Sequence, residues 1–302
     1  MRASQVPLIS SQRLRGEVAG HARLAGEDVL KEADNNLVLC PQCGQEFLSR
    51  SSSRDEEVRC RSCSATYPVT EGVLDLLPGV PMKPSPAQRT MEAEAIVRIY
   101  ESRWWRRSAL FALLLGISFD REQELILRTA HLTGAETVLD LACGPGIYAR
   151  PFARAVAAGT VVGLDISLPM LRYASRRARE EGLTNLLLIH GTALDLPFPP
   201  AHFDVVNCCG ALHLFPDVPR VLREIERVLR PGGRFTVAAF RRSVGRIAAF
   251  RATARRRLYG IDAFTPEELE SRLVEAGLGD VQCHHARAAW LVMSARKTGR
   301  EV

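Results

Sequence analysis

Short apolar runs alternate with amphipathic stretches along most of this chain. Val138-Leu139-Asp140-Leu141 reads as a buried strand that breaks into Ala142-Cys143-Gly144-Pro145-Gly146. Apolar residues at helical spacing follow from Ile147 to about Ala157. The unit then recurs. Thr160–Leu164 predicts a strand ending at Asp165, and Ser167 is placed to cap a helix from Leu168 to about Glu181. A strand near Leu186–Ile189 leads into the turn Gly191–Phe198, and Phe203–Cys208 predicts the next strand. A helix over Val218–Leu229, the breakers Arg230-Pro231-Gly232-Gly233 and a strand Arg234–Ala239 complete the series. Such alternation predicts a parallel sheet with helices on both faces. The end differs. Thr265-Pro266-Glu267-Glu268 is a capping-box helix start, the helix ends near Gly277, and two strands, Asp280–His284 and Ala288–Ser294, form an antiparallel pair.

Residues upstream of the α/β core at 135–302 divide into four parts. Residues 1–36 are polar, weakly patterned and expected to be a disordered tail; their arginines also allow a transit peptide. Residues 37–78 carry two cysteine pairs, and 79–90 form a proline-rich linker expected to set that module apart. Residues 91–134 read as a helical cap, with helices over Met91–Tyr100, Trp104–Leu115 and Glu122–Leu132. The longest apolar run, Ala109–Ile117, is half of the ~18 residues that a membrane span needs. The net charge of +6 comes almost wholly from arginine. It permits an acidic partner such as RNA or a peripheral membrane contact without requiring either.

Cys40, Cys43, Cys60 and Cys63 give C-x2-C, sixteen residues, then C-x2-C. This is the spacing of a four-thiolate zinc site, and a segment this short needs a metal to fold. Cys143, Cys208, Cys209 and Cys283 lie at or near strand ends and read as core fillers suited to a reducing compartment.

A strand, a glycine turn and a helix start form a site for a nucleotide-like ligand. Gly144-x-Gly146-x-x-Ala149 also fits the dinucleotide fingerprint, and Asp165, 21 positions after Gly144, is placed to grip ribose hydroxyls in either case. The ordered set D-x-x-C-G-x-G, G-L-D-x-S, L-P-F, F-D-V-V and R-V-L-R-P-G-G resembles the class I S-adenosylmethionine-dependent methyltransferases of the small type 11 group, over roughly residues 95–296. The resemblance implies a Rossmann-like seven-stranded sheet whose last strand inserts antiparallel. It assigns Asp140 to the amino-acid end of S-adenosylmethionine, Gly144 and Gly146 to its methionine and ribose portions, and Asp165 to the ribose. Ile166 and Met170 pack on adenine, and Ala193 and Leu194 read its edge. Thr192 stands where the group usually has an aspartate. Cys208 or Cys209 is a candidate for the methyl channel, with core filling as the alternative.

The cysteine module, with Leu39 before its first knuckle and Tyr67-Pro68-Val69, Gly72 and Leu76-Leu77 after its second, resembles the zinc-ribbon family of small methyltransferase partners. Similar modules precede bacterial rRNA guanine-N1 methyltransferases, where a histidine is the fourth ligand; this chain has Tyr67 there and keeps four cysteines.

His213, just past the fourth core strand, is the candidate general base, with a structural histidine bonded to backbone as the alternative. Two segments are expected to form a lid over the acceptor. One holds Trp104 and Trp105. The other is the 241–260 insertion, with Phe250, Tyr259, Arg251, Arg255, Arg256 and Arg257. Their aromatic content favours O- or C-methylation of a small apolar, phenolic or enolic molecule. Methylation of an rRNA or tRNA base, in which the arginines would meet phosphate, is the alternative. A binding protein without catalysis is the third reading, raised by Thr192. Placement in the cytoplasm is expected, or in the plastid stroma should the tail be a transit peptide. Oligomeric state has no signal in the sequence.

Overall fold

The computed structural model describes residues 37–45, 57–78, 108–242 and 263–299. The tail, the 79–90 linker, Met91–Tyr100, Trp104, Trp105 and residues 243–262, which include all of the 241–260 insertion but its first two residues, lie outside the described residues. Ten strands form one sheet: β1 (Glu57–Arg59), β2 (Thr66–Thr70), β3 (Val73–Asp75), β4 (Thr137–Leu141), β5 (Thr160–Asp165), β6 (Leu186–His190), β7 (Phe203–Cys209), β8 (Leu229–Phe240), β9 (Leu278–Arg287) and β10 (Trp290–Lys297). Their order is β1-β2-β3-β6-β5-β4-β7-β8-β10-β9. The last seven in that list are the predicted α/β sheet. Strands β6, β5, β4, β7 and β8 run parallel, and β10 lies antiparallel between β8 and β9.

Helices α1 (Ala109–Leu115), α2 (Phe119–Thr129), α3 (Ala149–Ala155), α4 (Leu168–Glu180), α5 (Val218–Val228) and α6 (Pro266–Glu275) accompany the sheet. Alternate strand residues serve opposite faces. Val138, Val161, Leu188 and Val205 pack with Ile126, Phe152 and Leu171. Leu139, Leu141, Val162 and Val206 pack with Leu222, Ile225, Leu269 and Leu273. Helix α5 shows why the pattern was legible. Val218, Val221, Leu222, Ile225 and Val228 make one buried stripe, and the Asp217 side chain accepts the Arg220 N–H at 3.0 Å. The capping box of α6 is formed as predicted. Ser167 departs from expectation: it stands at the N-cap of α4, but its hydroxyl makes no capping bond.

The cysteine module is joined to the core rather than set apart from it. Strand β3 pairs parallel with β6, matching Val73 with Leu188, Leu74 with Ile189 and Asp75 with His190. The Leu39 N–H donates to the Pro197 carbonyl at 2.8 Å. Leu37, Val38, Leu74 and Leu76 share one apolar cluster with Leu196 and Phe198. At the β2–β3 turn the Glu71 carbonyl accepts from Ser175 Oγ at 2.6 Å and from the Arg179 guanidinium, both on α4. Without this module β6 would be a bare apolar edge, which sheets otherwise cover or charge.

Helix α1 begins at Ser108, whose hydroxyl accepts the Phe111 N–H at 3.1 Å. Its Leu110 and Leu113 are exposed. Among the described residues no helix is long and apolar enough to cross a membrane.

Candidate functional site

The parallel strands end together at one edge of the sheet, where open α/β sheets bind ligands. After β4 the chain turns sharply. Ala142, Gly144 and Gly146 have φ of 55°, 54° and 78°, left-handed values that favour glycine. The Gly144 N–H donates to Asp165 Oδ2 at 2.7 Å, while Asp165 Oδ1 accepts the Ser167 N–H at 2.8 Å. One carboxylate thus locks the turn after β4 to the turn after β5 and keeps spare lone pairs for a ligand. Burial raises the Asp165 carboxyl, and these backbone N–H groups work against that rise.

Asp140 is buried beneath the glycine turn. Its Oδ1 accepts from Asn207 Nδ2 at 2.6 Å, and Asn207 Oδ1 in turn accepts from Thr236 Oγ1 at 2.7 Å. Its Oδ2 has no partner within hydrogen-bond distance, and neither does Ser167 Oγ. Burial pushes the Asp140 carboxyl up to about 7, against the opposing pull of Asn207 and the Ala149 N–H. Two buried polar atoms left unsatisfied beside a glycine turn fit a polar ligand that completes them.

The remaining predicted cofactor residues gather around this edge. Ile166 is half-buried and Met170 buried, with Met170 Sδ 3.5 Å from where a Gly144 side chain would begin. Thr192 spends its hydroxyl locally, accepting the Leu194 N–H at 3.2 Å. Ala193 is buried and Leu194 half-buried in that turn. The Leu196–Phe198 segment is held by Arg227, which donates to both carbonyls, at 2.9 and 2.7 Å. Cys208 is wholly enclosed in the apolar core, whereas Cys209 at the strand end is half-exposed.

His213 is enclosed and bonded to backbone. It lies in the 3-10 turn Leu212–Leu214, buried edge-on against Phe240 and Trp290, with ring centroids 4.5 and 6.4 Å away. Its Nδ1 accepts the Phe240 N–H at 3.4 Å, which places the ring proton on Nε2. Burial lowers its pKa to about 3. The ring stays neutral and presents an N–H, not the lone pair a base needs.

The four module cysteines converge. Their sulfurs all lie within 4.8 Å of one another, and the pairs Cys40–Cys63 and Cys43–Cys60 are 3.6 Å apart. That is far longer than the ~2.05 Å of a disulfide. It is close to the ~3.8 Å edge of a tetrahedron with ~2.3 Å metal–sulfur bonds. The Cys63 N–H aims at Cys60 and, against burial, brings its thiol down to about 6, whereas Cys43, despite the Gln45 N–H, is pushed up to about 12 by burial and the neighbouring thiols. Tyr67 places its hydroxyl 3.4 Å from Cys40 Sγ, close to the centre but outside the four-sulfur set.

Sequence reasoning missed Asn207, Thr236, Ser167 Oγ and His190. It also missed Glu122, a buried carboxylate that accepts from Tyr148 Oη at 2.7 Å and Trp290 Nε1 at 3.0 Å and so ties α2 to the glycine turn.

Residues 138–233 match the family described as a methyltransferase domain. An uncharacterised chloroplastic methyltransferase of Arabidopsis thaliana is 28% identical over 235 residues, covering 70% of this chain and 65% of that protein. The demethylmenaquinone methyltransferase of Geobacillus kaustophilus is 40% identical over 121 residues, 39% of this chain and 52% of the enzyme. The chain thus spans between half and two thirds of the length of these relatives. A solved phosphoethanolamine N-methyltransferase 2 of Haemonchus contortus, in complex with S-adenosyl-L-methionine, superposes with a TM-score of 0.56 at 17% identity, covering 70% of this chain and 59% of that one. At that identity the likeness is one of fold.

Proposed function

We propose that this chain, whose core has the class I S-adenosylmethionine-dependent methyltransferase fold, binds S-adenosylmethionine and methylates a small lipophilic acceptor. The observation that carries the cofactor is the lock between Gly144 and Asp165, with the unsatisfied Asp140 Oδ2 and Ser167 Oγ beside it. Asp165 would hold the ribose hydroxyls, Asp140 the cationic amino-acid end, and Ile166 with Met170 the adenine. The bound cofactor supplies an electrophilic methyl group; the protein aligns the acceptor and excludes water. A quinone-type acceptor is supported by the demethylmenaquinone relative.

Calorimetry is expected to show S-adenosylmethionine binding that Asp165→Ala weakens by about 1.5–3 kcal/mol, the size of hydrogen bonds to a charged group. Labelled methyl is expected in a reduced naphthoquinone fraction rather than in total RNA. Label confined to RNA, falling steeply with salt, reverses the acceptor assignment.

His213→Gln keeps a donor but no imidazole. Because the buried ring is neutral and its lone pair is taken, turnover is expected to stay within about tenfold of the parent. A loss of about 10²–10⁴ with unchanged cofactor affinity would restore the histidine as base.

We also infer one structural zinc at Cys40, Cys43, Cys60 and Cys63. The four free thiols, their separations and the N–H directed at Cys60 support it. Its place is at the edge of the sheet, remote in sequence from the methyl-transfer motifs, so its work is to hold the module folded.

A further inference from the structure

Three neighbouring strands end in register, with Asp75 on β3, His190 on β6 and Asp165 on β5. His190 therefore stands between two carboxylates, one from the cysteine module and one from the cofactor site. It is buried. Its Nδ1 lies 2.7 Å from Asp75 Oδ1, and its Nε2 lies 3.1 Å from the Ile166 carbonyl. Ionised carboxylates and carbonyls only accept. A neutral imidazole, with its single N–H, satisfies one of these two acceptors, and an imidazolium satisfies both. Asp75 is itself fixed, because the same Oδ1 accepts the Leu77 N–H at 2.9 Å.

The far end of this relay is one peptide unit. Its carbonyl, from Ile166, accepts from His190; its N–H, from Ser167, donates to Asp165. Rotating that peptide would break both bonds. The nearby His190 charge also favours the ionised form of Asp165.

We propose that His190, as an imidazolium, is a positioning residue through which the cysteine module holds the Asp165–Ser167 turn in its cofactor-binding shape. The proposal rests on the S-adenosylmethionine reading above. It gives the module a second consequence besides covering an edge: its order is transmitted to cofactor affinity through Asp75 and His190.

Two measurements on the full chain test it. Nitrogen-15 spectra of histidine-labelled protein at neutral pH, with His190→Gln identifying the signal, are expected to show both His190 ring nitrogens protonated. Calorimetry with S-adenosylmethionine is expected to show about tenfold weaker binding for Asp75→Asn and for His190→Gln, the scale of one charged hydrogen bond. The double variant is expected to be little worse than either single one, since both break the same relay. Asp75→Asn keeps the shape of the side chain, and titrations run far below each variant's melting temperature separate positioning from loss of fold. Asp165→Ala runs alongside. If it weakens binding while Asp75→Asn and His190→Gln stay within twofold of the parent, the relay is wrong and the cofactor site stands. A singly protonated His190 ring also overturns the relay. A parent protein that does not bind S-adenosylmethionine sinks the cofactor reading, and the relay with it.

Discussion

Cys60→Ser is expected to release the metal, melt residues 37–45 and 57–77, and destabilise the core they cover. A serine hydroxyl does not replace a thiolate as a zinc ligand, and three cysteines leave the tetrahedron open. Besides the cysteines, three short strands, the bonds to β6, Pro197 and α4, and the buried side chains Leu37, Val38, Val58, Tyr67, Val73, Leu74 and Leu76 hold the module. Leu74 and Leu76 share the apolar cluster of Leu196 and Phe198 while β3 lies along β6. Exposing Leu74 and Leu76 alone forfeits about 3–6 kcal/mol, at about 1.5–3 kcal/mol for each buried aliphatic side chain. The bared β6 edge then becomes a template for association between chains. Metal analysis is expected to fall from about one zinc per chain to none. Hydrogen exchange is expected to quicken across β3 and β6 while β7, β8 and β10 stay protected. A metal-free variant with β3 amides still protected would show that packing alone holds the module.

The strand–helix alternation and the glycine turn were legible because each is a local pattern. Strand faces repeat every two residues, the α5 stripe repeats every three to four, and Gly144 and Gly146 announce a left-handed turn wherever the rest of the chain goes. The convergence of the four cysteines was legible for a related reason, since they come in two local pairs. What escaped is set by partners far apart in sequence. His190 looked like the end of an ordinary strand, because its partner Asp75 is 115 residues away. Asn207 serves Asp140 across 67 residues. The docking of the module rests on a three-residue strand, too short to carry a periodicity. His213 was placed at the right edge of the sheet, but its chemistry depends on enclosure by Phe240 and Trp290, which come later in the chain. Thr192 was legible as a departure. Its consequence, a hydroxyl turned to the Leu194 N–H, was not.

Asp140 is expected to make cofactor binding and apo stability depend on pH in opposite senses. Its carboxyl is enclosed, with Asn207 on one oxygen and nothing bonded to the other, and burial raises it from 3.8 to about 7. The folded chain therefore holds this proton up to about pH 7, whereas the unfolded chain loses it near pH 4. Between those limits the folded state binds more protons, so stability falls as pH rises. The loss from this one group is on the order of 4 kcal/mol and is complete above about pH 7. A cationic ligand end reverses the preference, because an ammonium group beside Asp140 favours the carboxylate. Binding below pH 7 then expels a proton, and the dissociation constant is expected to rise about tenfold for each pH unit below 7. Asp140→Asn keeps the shape and the bond from Asn207 but cannot ionise. It is expected to flatten this dependence and to weaken binding at pH 8 by about 1.5–3 kcal/mol. Calorimetry at pH 6, 7 and 8, in buffers of different ionisation enthalpy, measures both the affinity and the proton released. Equal affinity across that range with no proton released would show that Asp140 does not face the cofactor's charged end.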